Sequence, residues 1–188
     1  MSCKHVLPAV LTALLAMPLA RAAETSGQVV GPGIVADYKV ELQAALRAGL
    51  SEGVVEAISA CNIEAPEIAD RLSNDDIRVG RSSDRLRNPG NAAPDWVVPI
   101  LQAYMSRDMS GYPSGDSEVS ATEIVLSDKR LGYVEPIMMQ PVCTACHGEN
   151  IAPEVMAQID ALYPKDRAVG FKVGELRGVF WVEYPAAQ

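Results

Sequence analysis

An α+β domain, helices first and an antiparallel sheet later, is what this sequence predicts, and three patterns in it carry the prediction. Apolar residues recur at three- and four-residue spacing from Leu42 to Cys61, which is helical periodicity. Glu123-Ile124-Val125-Leu126 and Leu131 to Met138 flank the polar turn Ser127-Asp128-Lys129-Arg130, which reads as a hairpin. A final apolar and aromatic run, Gly178 to Tyr184, reads as a closing strand.

Taken in order, the chain opens with Lys4, the apolar stretch Val6 to Ala20 and the small-x-small site Ala20-Arg21-Ala22, so residues 1–22 are expected to be a secretory signal peptide. The apolar run is too short to span a bilayer and contains Pro8 and Pro18, so no membrane span is expected after cleavage. Cys3 precedes that run and would leave with it. The predicted location is a bacterial periplasm, where thiols need special handling.

Cleavage would remove two cations, Lys4 and Arg21, and no acid, moving the formal charge from −8 to −10. Such a surface disfavours nucleic acid and anionic lipid and favours a partner protein with a basic surface. His147 would be the last histidine, and Cys61, Cys143 and Cys146 the last cysteines. About 165 residues suit one domain, expected over 35–188 behind a flexible, glycine-rich lead-in over 23–34.

Within the domain, Leu42, Leu46, Leu50, Val54, Ile58 and Cys61 predict a helix that Gly49 or Gly53 kinks or breaks. Ala65-Pro66-Glu67 starts a second, short one, because proline is tolerated in a first turn. Ile77 to Asn91 crowds Arg78, Arg81, Arg85 and Arg87 and ends in turn chemistry at Asn88-Pro89-Gly90-Asn91. Asp95 to Met105 predicts a helix started by Pro94 and disturbed by Pro99, and Ser110 to Ser117 a loop. After the hairpin, Pro153 to Leu162 predicts a helix, and Ala168 to Phe171 pairs with Gly178 to Tyr184 around Gly174.

The most specific stretch is Cys143-Thr144-Ala145-Cys146-His147. Two cysteines two residues apart followed by histidine are the attachment site of a c-type haem: the thiols anchor the ring as thioethers and the imidazole reaches the iron. A redox dithiol would not need the histidine, and a closed zinc site would need a second pair of ligands that the chain barely offers. One covalent haem c is therefore expected, with His147 as the proximal ligand. The sixth position is open to Cys61, to Met105, Met109, Met138, Met139 or Met156, to a lysine or to water; methionines also serve simply as packing around a flat ring. Arg81, Arg85 and Arg87 are the candidates for pairing the two propionates, because guanidinium binds carboxylate bidentately.

The haem motif lies late in the chain and has strands on both sides. That placement fits neither a small electron-carrier cytochrome nor a four-helix bundle. Several blocks instead resemble the exported haem c proteins with a PAS-like domain, the DUF3365 or Tll0287-like family. They are Ala57-Ile58-Ser59-Ala60-Cys61-Asn62 with Ala65-Pro66-Glu67-Ile68-Ala69; Val79-Gly80-Arg81-Ser82-Ser83 with Leu86-Arg87-Asn88-Pro89 and Asn91 to Asp95; Gln140 to Gly148; and Tyr163-Pro164 through Asp166-Arg167-Ala168 to Gly174-Glu175-Leu176-Arg177-Gly178. The resemblance runs from Val54 to Val182. It implies a PAS-like α+β fold, a single covalent haem, a signalling or redox role rather than catalysis, and Cys61 as the distal ligand. Phe180-Trp181-Val182 departs from the family pattern, which has small residues and a serine there.

The function expected is redox or small-gas sensing, or low-potential electron transfer, with a redox or signalling partner protein. The alternatives are a His/Met electron shuttle and a peroxidase-like haem enzyme. An enzyme would need acid–base groups above an open iron, and no second histidine remains to supply one.

Overall fold

The computed structural model describes residues 30–106 and 121–186. The predicted signal peptide, the first part of the lead-in, the predicted loop over 110–117 and Met109 lie outside the described residues. Helix α1 spans Val30–Glu52, so the last five positions of the expected lead-in are helical. The reason is tertiary: Gly31 is buried against the side chains of Tyr133 and Tyr184, which seat the first turn on the sheet.

α1 runs on through Gly49, and the break falls at Gly53, whose φ of 148° is open to glycine. α2 then spans Val54–Leu72 as one helix, with Pro66 inside it rather than at a new start. An interior proline costs roughly 3 kcal/mol in an isolated helix. Here Ala57, Ile58, Ala65 and Ile68, buried on both sides of Pro66, hold the helix together by packing. Gly49 of α1 lies against Ala57 of α2 while Glu41 pairs with Arg71, so the two helices run antiparallel.

The sheet has four antiparallel strands: β1 (Arg78–Ser82), β2 (Thr122–Val125), β3 (Leu131–Met138) and β4 (Leu176–Tyr184), in the order β1-β4-β3-β2. β2 and β3 are the predicted hairpin. The crowded arginines of the Ile77 to Asn91 stretch carry no strand pattern of their own; the strand form of β1 comes from pairing with β4, Arg78 opposite Glu183 and Ser82 opposite Val179. Residues 168–171 do not form the expected strand. Instead the Phe171 and Gly170 amides donate to the carbonyls of His147 and Gly148, both at 2.9 Å.

β4 is central and buried on both faces, following the period of two. Val182 and Tyr184 pack with Val35, Tyr38 and Ile68 under the α1–α2 hairpin. Val179 and Trp181 pack on the other face against Val97, Leu101 and Tyr104, the last two carried by α3 (Val98–Met105). Trp181 finds room because its register partner is Gly80; a Cβ there would lie 2.2 Å from the Trp181 ring. α4 (Thr144–His147) and α5 (Pro153–Leu162) complete the α+β architecture, the latter packing Ile159 and Tyr163 against Ile58 of α2.

Candidate functional site

A cavity of about 490 Å³ lies between the α1–α2 hairpin and the sheet face it covers. α1 presents Leu42, Leu46 and Leu50 to it at four-residue steps, and α2 presents Ile58, Cys61 and Ala65. From the sheet come Arg81, Ile137, Phe180 and Arg177. The predicted helical periodicity of the leucines is therefore real, but much of that stripe faces a cavity rather than a filled core.

The Cys143–His147 stretch closes the cavity. Pro141–Cys143 is a 3₁₀ turn running into α4, and the Thr144 hydroxyl caps it by donating to the Pro141 carbonyl at 2.7 Å. One helical turn places residues 143, 146 and 147 on a common face, so both thiols and the imidazole line the cavity. Cys61, Cys143 and Cys146 are all free thiols. Burial raises the Cys61 and Cys146 thiols; Arg81 and Arg87 pull Cys61 back down, and Arg87 does the same for Cys146.

The His147 ring is held in one tautomer. Its Nδ1 lies 2.6 Å from the Ala168 carbonyl, which can only accept, so Nδ1 carries the proton. Burial, Arg177 and Arg87 push the imidazole well below its ordinary pKa, outweighing the carbonyl, so the ring is neutral. Nε2 therefore keeps a lone pair free for a metal. Phe171 braces the ring edge-on, centroids 6.4 Å apart.

A buried ion pair positions that carbonyl. Arg87 donates from Nε and Nη2 to the two Asp166 oxygens, each at 3.3 Å, and from Nη2 to the carbonyls of Cys146 at 2.6 Å and Ala168 at 3.2 Å. Asp166 in turn accepts from the Ala168 amide at 2.8 Å. The clamp thus ties the backbone of the thiol turn to the segment that orients His147.

A family model described as Tll0287-like: Tll0287 matches residues 15–185. The chain belongs to the Tll0287-like family. It is similar in structure to the cyanobacterial heme-protein Tll0287, a crystal structure, at 27% identity and a TM-score of 0.57, covering 86% of this chain and 95% of that one. None of the curated proteins matches the chain.

The predicted site residues fare unequally. Cys143, Cys146, His147 and Cys61 converge on one cavity, with Arg81 and Arg87 in its wall. Arg85 does not reach it. Its guanidinium lies 3.4 Å from the centre of the Phe171 ring and donates to the Val169 carbonyl at 3.0 Å, which packs this propionate candidate behind the wall rather than in it. Met138 lines the cavity beside the motif, whereas Met139 is wholly buried elsewhere and Met105 is exposed. Among the described residues no group of three or more His, Cys, Asp or Glu side chains is gathered as a metal cage. Arg177, Tyr163 and Asp166 stand in blocks that carry the family resemblance, but nothing local in the sequence distinguishes them from surface residues.

Proposed function

We propose that this chain is an exported monohaem c-type cytochrome with a PAS-like domain, acting in redox or small-gas sensing or in low-potential electron transfer. The observation that carries the reading is the convergence of Cys143, Cys146 and a neutral His147 on one apolar cavity, with Cys61 in its wall. The family relative described as a heme-protein supports it.

The residues fit the group. The cavity volume falls within the ~300–1,000 Å³ usual for cofactor sites, and its leucines and Phe180 suit a flat apolar ring. Cys143 and Cys146 would hold it as thioethers, and His147 would ligate through Nε2. Bound haem supplies a one-electron iron couple whose potential follows its axial ligands.

Cys61 is the proposed second ligand. As a thiolate it would favour ferric iron and a low potential, whereas Met138, the cavity methionine, would raise it. Glu135, the carboxylate among the described cavity-lining residues, is engaged by Lys39 at 2.5 Å, which favours an electron-transfer or sensing role over acid–base catalysis. The acidic chain would meet a basic redox or signalling partner in the periplasm.

The test compares wild type with Cys61→Ser by electron paramagnetic resonance and electrochemistry. The reading expects a changed ferric spectrum and a higher midpoint potential in the variant. Identical spectra and potentials would show that Cys61 is only packed in the wall.

A further inference from the structure

We propose that Arg177 and Arg81 form the anion-binding end of the cavity and hold the two carboxylates of the bound tetrapyrrole, while Arg87 acts only as a positioning residue. The inference rests on the haem reading above and names which side chains receive the charged edge of that group.

Among the described residues four cations stand in the cavity wall, and two are already paired with carboxylates. Lys39 pairs with Glu135, and Arg87 forks onto Asp166 and two carbonyls. Arg81 makes no hydrogen bond or ion pair with another described residue. It projects from β1 opposite Phe180, on the sheet face that the helices cover. Among the described residues Arg177, on β4, has one long hydrogen bond, from Nη1 to the Arg85 carbonyl at 3.4 Å, and a face contact with the Phe171 ring at 5.2 Å; its buried Nε has no hydrogen-bond partner, and no carboxylate pairs with it.

A guanidinium without a carboxylate partner in an apolar wall is costly, and two lining one cavity repel each other. Burial and the fields of Arg81 and Arg87 push Arg177 down to about 10, more than the field of Asp166 offsets. The unbalanced charge is about two units, in a protein whose net charge is −8. A ligand with two carboxylates on one edge and an apolar body matches that deficit and the leucine-lined remainder. Guanidinium also offers each carboxylate two parallel donors.

The experiment uses the haem-loaded protein from a host able to attach haem c, with Arg177→Leu, Arg81→Leu, the milder Arg177→Lys and, as a control outside the cavity, Arg85→Leu. Mass spectrometry of the denatured chain reads the haem reading by itself, because thioethers do not depend on arginine; a wild-type chain without haem overturns that reading and this inference with it. With haem attached, resonance Raman bands of the propionates should shift in the Arg177 and Arg81 variants and stay in place in Arg85→Leu. The midpoint potential of Arg177→Leu should fall by a factor of about ten in the reduced-to-oxidised equilibrium, about 59 mV, with partial recovery in Arg177→Lys. Should Arg177→Leu fail to fold, Arg177→Lys is read by the same bands. Haem attached with propionate bands unchanged in the Arg177 and Arg81 variants overturns the assignment.

Discussion

Replacing Asp166 by alanine removes the carboxylate at the centre of the clamp. The side chains of Arg87 and Asp166 are 12% and 7% exposed, so solvent cannot replace the lost partner. Arg87 would keep its two carbonyl acceptors but hold an unpaired charge, and the Ala168 amide would lose its acceptor. Breaking a buried pair from one side costs about 3–5 kcal/mol, and the surviving carbonyl bonds put this case at the lower end, about 3 kcal/mol. For a domain of this size, that lowers the melting temperature by roughly 6–12 °C. The assay is guanidinium unfolding of the haem-loaded protein, followed by circular dichroism, for Asp166→Ala, Arg87→Leu and the double variant. The double variant should cost less than the sum of the singles by roughly 1–3 kcal/mol, because no orphaned charge remains. A loss under about 1 kcal/mol with additive singles would refute the clamp as a cooperative unit.

Mass spectrometry of the denatured mature chain should give the apoprotein plus one haem, and Cys143→Ser or Cys146→Ser should lower the covalent yield; an unmodified mass from an attachment-competent host refutes this. Gly80→Ala should destabilise by about 1–3 kcal/mol through overpacking, since the new methyl meets the Trp181 ring at 2.2 Å; an unchanged denaturation midpoint would show that the ring yields freely. Burial and Glu135 push the Tyr133 phenol up to about 12, and burial with Glu123 also raises Tyr184. Above about pH 10 the unfolded chain gives up those protons while the folded chain keeps them, so stability should fall by at most about 1.4 kcal/mol per pH unit per tyrosine. Tyr133→Phe should flatten that alkaline slope in a pH series of melts, and an unaltered slope would exclude it as the cause.

What the sequence determined by itself is local. The Cys143–His147 pentapeptide sets its own geometry because thiols and imidazole within one helical turn share a face wherever that turn lies. α5 was legible to the residue, from Pro153 to Leu162, and the β2–β3 hairpin nearly so, because period and turn chemistry are short-range signals. Tertiary structure decided the rest. β1 is a strand through its ladder with β4, about a hundred positions away, a pairing that an arginine-rich pentapeptide cannot announce. Pro66 ends no helix because the buried residues on either side of it outweigh one lost hydrogen bond. The arginines were separable only in space. In sequence Arg81, Arg85 and Arg87 look alike, yet one stands in the cavity wall with no ion-pair partner among the described residues, one lies behind Phe171 and one clamps Asp166. Arg177 joins them from the other end of the chain because β4 lies beside β1, and the work of a charge is set by what surrounds it after folding.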